Sequence, residues 1–167
     1  MKRVKRVLAL LAAFALVLAM AVPAWAEGNK GNITVQNAKE NEEYKIYRIF
    51  DLESYSENSY SYKMSEKWSK AGFATNSVFK EYFEIVNGYI KPKAEFTDEA
   101  AATFAKNALA FAKEKKIEDD GHQTAGKTGV SFSNLSLGYY LLDTSLGTLC
   151  SLDTTNPAAI LREKNDS

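Results

Sequence analysis

The stretch V-S-F-S-N-L-S-L-G-Y-Y-L-L, residues 130–142, decides the fold class of this chain. Val130 and Phe132 alternate with Ser131 and Ser133, which is the two-residue period of a half-buried strand. The run from Gly138 to Leu142 is aromatic and aliphatic, a composition that predicts a second strand. Together the two segments favour a mainly β fold.

Further strand segments lie on both sides of this stretch. Upstream, apolar and polar residues alternate, or aromatic and β-branched residues accumulate, in 33–36, 44–50 and 60–64. The last two of these segments predict a hairpin. Downstream, 149–152 and 158–162 have strand composition and are separated by the Asn156-Pro157 break.

The middle of the chain has a helical pattern instead. Thr97 followed by Asp98 and Glu99 predicts a helix start, because a hydroxyl can cap the first turn and acids favour the positive end of the helix dipole. One apolar face follows, and we expect it to pack on a sheet; it consists of Ala101, Phe104, Ala105, Ala108, Phe111 and Ala112. Helical spacing also links Val78, Tyr82, Ile85 and Val86.

Strands, then helices, then strands predict a mainly β (α+β) chain, namely a β-sandwich that carries a helical insertion at about 66–117. We expect this domain to span 27–165. The preceding residues, 1–26, predict a secretory signal peptide: a basic start, an uncharged apolar run over 7–22, and the small–x–small ending Ala24-Trp25-Ala26. An uncleaved N-terminal anchor is the alternative.

Composition narrows the function classes. The 167 residues include 21 basic and 21 acidic side chains, and four of the basic ones lie in the leader. The remaining 17 against 21 give the mature chain a net charge near −4, which disfavours nucleic-acid partners. One Cys and one His leave neither an internal disulfide framework nor a zinc site of the usual kind.

One segment has the spacing of a phosphate-binding loop. Gly121 to Thr128 fits the pattern G-x-x-x-x-G-K-[ST]. That chemistry needs a buried strand before the loop and a helix after it, whereas here a charged, helix-like segment over 115–120 precedes and strand residues follow. We therefore expect a flexible connection between helix and strand, and no nucleotide or other cofactor.

Three other features contain residue types that can carry chemistry. The acids Glu118, Asp119 and Asp120 lack the alternate spacing of a calcium loop, so we expect a solvated acidic turn and no metal. His122 has no partner nucleophile by motif, although a catalytic triad can assemble in space. Cys150, in an apolar strand pattern, is expected to be a small buried residue, with a reactive thiol or an intermolecular disulfide as the alternative.

The C-terminal third resembles a known family. The run from Phe132 to Thr148, the segment Cys150 to Pro157, and Glu163-Lys164-Asn165 are similar to the N-terminal domain of Gram-positive sortase-assembled fimbrial proteins (pilins) of the isopeptide-forming, Cna-B-like class. The opening strands of that family are similar to residues 33–38 and 44–51.

This resemblance implies a non-catalytic structural or adhesive role. Such domains are exported, have an Ig-like, Cna-B-like sandwich fold, and are joined by sortase to other pilin subunits on the cell wall or in a pilus. A Lys before an Asn at the domain end is the attachment point in related pilins, which makes Lys164 the candidate here. Family members continue into further domains and a sorting motif, so we expect a truncated member, secreted and without a membrane anchor of its own.

The family also forms internal Lys–Asn bonds promoted by a buried acid. Its pattern G-x-Y-x-L-x-E matches Gly138, Tyr140 and Leu142, but then places Thr144 at the acid position, with Asp143 one residue early. A shift of one residue along a strand turns the side chain to the opposite face of the sheet. We expect no internal bond of that geometry.

Two other function classes stay open. A freestanding secreted domain could bind a host protein or glycan, since nine tyrosines suit a binding surface as well as a core. A secreted hydrolase with a pair of acids is less favoured, but it is not refuted, because two carboxylates at glycosidase separation cannot be recognised from sequence.

Overall fold

The computed structural model describes residues 16–17, 30–56, 59–127, 129–143, 148–152 and 158–162. These residues are mainly β with few helices, as the sequence predicts. The strands are Leu16–Val17 (β1), Lys30–Gln36 (β2), Glu43–Ser56 (β3), Ser59–Met64 (β4), Phe83–Val86 (β5), Tyr89–Pro92 (β6), Gly121–Thr124 (β7), Val130–Ser136 (β8), Gly138–Asp143 (β9), Thr148–Leu152 (β10) and Ala158–Arg162 (β11). The helices are Glu66–Lys70 (α1), Ser77–Lys80 (α2) and Asp98–Glu114 (α3), with a 3₁₀ turn at Phe73–Thr75.

Sheet A has the strand order β1-β11-β2-β8. Strand β11 runs parallel to β2, and the other two pairings are antiparallel. Strand β1 lies in the predicted leader, of which the structure describes only these two residues.

Sheet B has the order β10-β9-β3-β4, and β7 also pairs with β3. The predicted hairpin is confirmed as β3 and β4. Strand β9 begins at Gly138 for a steric reason: a Cβ at this position would collide with the carbonyl oxygen of Phe50 on the paired strand β3. Only glycine lets the two backbones approach this closely.

The two sheets share one apolar cluster, which we call the inter-sheet cluster. It contains residues of β2 and β8 from sheet A together with residues of β3 and β9 from sheet B. Its buried members are Ile33, Val35, Tyr44, Ile46, Ala125, Val130, Phe132, Leu137, Tyr140 and Leu142. The alternation predicted for β8 is confirmed, since Val130 and Phe132 are buried and Ser131 and Ser133 are exposed.

The opposite side of sheet B carries a second cluster, the insertion cluster. It joins residues of β3 and β9 to the segment between β4 and β7. Helix α3 begins as predicted, with the Thr97 hydroxyl accepting a hydrogen bond from the Ala100 amide at 3.2 Å. All six predicted core-facing residues of α3 are buried in this cluster, and so is Leu109.

The helical spacing of Val78, Tyr82, Ile85 and Val86 predicted the wrong structure. Helix α2 ends at Lys80, and β5 and β6 form a two-stranded sheet of their own. The turn between them is Asn87-Gly88, and both residues have positive φ, at 54° and 86°. This dipeptide favours a tight hairpin turn. Ile85 and Val86 consequently lie exposed near the hairpin tip.

The predicted insertion at about 66–117 is therefore only partly helical. Within the described parts of the chain, no helix has both the length and the apolar character needed to cross a membrane.

Candidate functional site

The segment with phosphate-loop spacing is part of sheet B. Gly121–Thr124 forms β7 and pairs with β3, with Gly121 opposite Ile46 and Thr124 opposite Glu43. Its backbone is engaged in this ladder, and β8 follows it where a phosphate loop would have a helix. The expectation of a flexible connection is wrong, because β3 extends far enough to pair with this segment. The expectation that residues 115–120 are helical is also wrong, since α3 ends at Glu114.

The acidic turn before β7, residues 118–120, is a junction that is hydrogen-bonded to strand β3 and to helix α1. The Asp120 carboxylate accepts the backbone N–H of Arg48 at 2.6 Å and the Lys67 ammonium at 2.9 Å. Lys67 also donates to the carbonyl oxygens of Glu118 and Asp119, at 2.9 and 3.4 Å. The expectation of a solvated turn is wrong for Asp119 and Asp120, both of which are half-buried. This junction connects β3, α1 and the end of the insertion.

His122 lies on β7 with its side chain exposed. Its Nδ1 is 3.2 Å from Asp119 Oδ1, an atom that also accepts the Gly121 backbone N–H at 3.0 Å. In the described part of the chain, Asp119 is the only recorded side-chain partner of His122. No group of three or more His, Cys, Asp or Glu side chains among the described residues could hold a metal ion.

A second polar group surrounds Arg48, and no sequence pattern predicts it. The Nε of Arg48 donates to Asp51 Oδ1 at 2.6 Å, and its guanidinium also hydrogen-bonds Tyr140. Burial acts to lower the pKa of Arg48, but the hydrogen bonds to Tyr140 and Asp51 outweigh it, so the pKa is raised. Arg48 and Tyr140 are brought together only by the pairing of β3 with β9, which local spacing cannot reveal.

Tyr47 lies next to Arg48 in sequence, on the insertion side of the same strand. Burial raises the pKa of Tyr47, and the nearby carboxylates of Asp143, Asp119 and Asp120 raise it further, because a phenolate would be repelled by them. Tyr47 is therefore a neutral hydroxyl held beside a group of acids.

Strand β9 has the register that the sequence predicts. Tyr140 and Leu142 belong to the inter-sheet cluster, whereas the Asp143 carboxylate lies 3.7 Å from the Lys113 ammonium of α3. The inward positions of β2 are Ile33 and Val35, both aliphatic and fully buried. That no internal Lys–Asn bond forms remains a prediction; such a bond would lower the intact mass by the mass of one ammonia molecule.

Two residues singled out from the sequence, Cys150 and Lys164, lie partly or wholly outside the described part of the chain. Cys150 lies on β10 with its backbone opposite Tyr140, but its side chain is not described. Lys164, the candidate attachment residue, lies outside the described residues.

Comparison with protein-family models and with curated proteins identified no relative of this chain. No protein-family model matches the chain, and no curated protein matches it.

Proposed function

We propose that the mature chain is an exported, non-catalytic structural subunit domain of the sortase-assembled pilin class. The observation that carries this proposal is the parallel pairing of β2 with β11. Support also comes from the sequence resemblance and from the secretory leader predicted over 1–26.

An Ig-like, Cna-B-like β-sandwich is the fold that we propose for the domain. Its support is the inter-sheet cluster, to which β2 and β8 contribute from sheet A and β3 and β9 from sheet B. Two sheets that enclose one apolar layer, with polar residues alternating outward, are typical of sandwiches. The insertion then covers the outer face of sheet B.

The parallel pairing separates the two ends of the domain. β2 begins at Lys30 and pairs in parallel register with β11, which ends at Arg162 opposite Gln36. Because both strands run the same way, the chain enters at one end of sheet A and leaves at the other. Lys164 therefore follows the end of sheet A that is opposite the entry of β2.

Lys164 comes shortly after the end of β11 in the sequence. It is two residues beyond Arg162, so its Cα can lie no farther than about 7 Å from that of Arg162. We propose that its side-chain amine attacks the acyl–thioester that sortase forms with a partner subunit. A new amide bond forms, the carbon–sulfur bond breaks, and the sortase thiol leaves.

Incubating residues 27–167 with a pilin sortase and a sorting-motif peptide tests this proposal. We expect one conjugate per chain, located at Lys164 by peptide mass spectrometry, and none for Lys164→Arg. Lys91→Arg, at an exposed position on β6, is the matched control and should conjugate like the wild type. Conjugation spread over several lysines would contradict the role of Lys164. A folded chain that is never conjugated would instead favour a freestanding secreted binding domain.

The leader has a separate test. Expression of residues 1–167 in a Gram-positive host should release a protein that begins at Glu27. Retention of the full chain in the cytosol would contradict the proposed export.

A further inference from the structure

We propose that Asn87, at the tip of the β5–β6 hairpin, is a site of spontaneous deamidation in the folded chain. The reaction replaces a neutral side-chain amide with a carboxylate and, in one of its two products, lengthens the main chain of the turn. The proposal concerns a surface hairpin of the insertion, and it does not rest on the pilin role.

The reaction needs only the dipeptide Asn87-Gly88 and water. Hydroxide takes the proton from the backbone nitrogen of Gly88, and this nitrogen attacks the side-chain carbonyl carbon of Asn87. A new carbon–nitrogen bond closes a five-membered succinimide. The bond to the side-chain nitrogen breaks, and ammonia leaves with a proton from water, which restores the hydroxide. Water then opens the ring at either carbonyl, to give an aspartyl residue or an isoaspartyl residue whose main chain runs through the former side chain.

The residue after Asn87 presents no steric barrier to this attack. Gly88 has no side chain, and apart from its chain neighbours no heavy atom lies within 4 Å of the place that a Cβ would occupy. Both residues of the dipeptide are exposed, so hydroxide and water reach them from solvent. Asn87-Gly88 is the single Asn-Gly pair in the sequence of 167 residues.

The turn has to open transiently, because ring closure requires the main chain of the dipeptide to rotate away from its tight conformation. The strand pair next to the turn is Val86 opposite Tyr89. Val86 is 38% exposed, so the separation of this pair removes little apolar surface from burial. Segments with few buried contacts open locally at a free energy far below that of global unfolding. The tip of the hairpin is such a segment.

The base of the hairpin is anchored, so an opening of the tip does not disturb the core. Phe83 and Pro92 face each other at the base, and both are buried. The next backbone N–H, that of Lys93, donates to the carbonyl oxygen of Tyr82 at 2.8 Å. Phe83 and Tyr82 belong to the insertion cluster. The reaction at Asn87 therefore needs no unfolding of that cluster.

A second dipeptide that can close the same ring has the opposite surroundings. In Asp120-Gly121 the carboxyl would be attacked, but the Asp120 carboxylate accepts the Arg48 backbone N–H and the Lys67 ammonium. The attacking group is also engaged, because the Gly121 N–H donates to Asp119 Oδ1 at 3.0 Å. The surroundings of the two dipeptides thus favour the reaction at Asn87 and oppose it at Asp120.

The modification changes the hairpin in two ways. It places a negative charge beside Ile85 and Val86, the two large apolar side chains that are exposed in the described part of the chain. The isoaspartyl product also adds a methylene group to the main chain of a two-residue turn. Such a turn fixes the register of its strands, so we expect β5 and β6 to separate near the tip in this product.

Ageing of the folded mature chain at mildly alkaline pH, followed by peptide mass spectrometry, tests the proposal. Asn134 is the internal control, because it is also exposed and has a positive φ of 58°, but Leu135 follows it. We expect Asn87 to be converted at least about tenfold faster than Asn134, which corresponds to about 1.4 kcal/mol in activation free energy.

Hydrogen exchange separates the effect of the charge from that of the longer main chain. The aged wild type should exchange faster over residues 83–92 than the fresh protein. Asn87→Asp carries the charge on an ordinary main chain and keeps a favourable turn pair, so it should exchange like the fresh protein. Asn87→Gly also keeps a favourable turn pair but has no amide to lose, and ageing should leave its hairpin unchanged.

Three results would overturn the proposal. They are conversion of Asn134 as fast as that of Asn87, conversion of Asn87 in urea but not in the folded chain, and isomerisation of Asp120 in the folded chain at the rate of Asn87. Faster exchange in fresh Asn87→Asp, equal to that of the aged wild type, would overturn the role of the longer main chain. The sortase assay is independent of these results, so the deamidation site and the pilin role can fail separately.

Discussion

The two faces of sheet B bury different kinds of core. Of the described residues, the inter-sheet cluster holds ten buried members, of which three are aromatic. The insertion cluster holds nineteen, of which twelve are aromatic. Much of the fold's apolar burial thus lies outside the two-sheet unit, between sheet B and the inserted segment.

The aromatic members of the insertion cluster form a connected set of rings. Phe83 lies 4.5 Å from Phe96 and 5.1 Å from Phe104, measured between ring centroids, and 5.2 Å from Phe50 on β3. Edge-on and tilted ring pairs stabilise beyond their buried area. The difference between the clusters teaches that the insertion is a main part of the core and not an appendage to a sandwich.

The largest effect should come from removing a ring of the insertion cluster. Phe104 is fully buried and contacts the rings of Phe73, Tyr82, Phe83 and Phe96. Because alanine suits a helix, Phe104→Ala isolates the packing loss, which we expect to lower the free energy of unfolding by about 3–5 kcal/mol. Urea unfolding measures it. Thr103→Ala, exposed on the same helix, should change the value by less than about 0.5 kcal/mol.

A change in the inter-sheet cluster should cost less. Ile33→Ala leaves a cavity between the sheets, and we expect a loss at the lower end of the range of about 2–5 kcal/mol because this cluster is smaller. The same urea experiment gives the value. A loss larger than that of Phe104→Ala would reverse the comparison and make the two-sheet unit the dominant core.

The sequence predicted the elements of both regions better than their roles. The strands around 33–36, 44–50 and 130–142 and helix α3 were identified because each has a local period or cap. The helical spacing of Val78, Tyr82 and Ile85 is a coincidence, and it conceals the β5–β6 hairpin, whose turn is Asn87-Gly88.

The polar junctions could not be predicted from the sequence. Lys67 and Asp120 are 53 positions apart and meet only because α1 and the start of β7 both lie beside β3. The register of Asp143 could be predicted, since it depends only on counting along one strand from Gly138. Local sequence patterns therefore predict which face of a strand or helix a side chain lies on. Contacts between residues that are distant in the sequence depend on the topology of the sheet.

The junction between the two regions gives the next prediction. Asp120→Ala leaves the Arg48 backbone N–H and the Lys67 ammonium without their carboxylate acceptor, and we expect a loss of about 1–3 kcal/mol. Asp120→Asn keeps one acceptor oxygen and should lose less. Glu66→Ala is the matched control, because its pair with Lys70 is exposed and worth only about 0.3–0.5 kcal/mol. Equal losses for Asp120→Ala and Glu66→Ala would show that the junction does not hold the insertion to β3.

The smallest effect is a dependence of stability on alkaline pH that Tyr47, on the insertion side, should produce. The pKa of Tyr47 is raised in the folded chain by burial and by Asp143, Asp119 and Asp120. Above pH 10, the ordinary tyrosine pKa, the unfolded chain loses this proton while the folded chain keeps it. The stabilisation is therefore complete below that pH, and the free energy of unfolding falls as the pH rises from there through the raised pKa of the folded chain.

Tyr47→Phe should flatten this alkaline decline, which urea unfolding at a series of pH values measures. A residual slope should persist because burial also raises the pKa of Tyr82. Asp143→Asn removes the largest electrostatic contribution, so Tyr47 should ionise at lower pH than in the wild type, a change that tyrosinate absorbance detects directly. An unchanged Tyr47 titration in Asp143→Asn would mean that the Asp143 carboxylate does not contribute to the raised pKa of Tyr47.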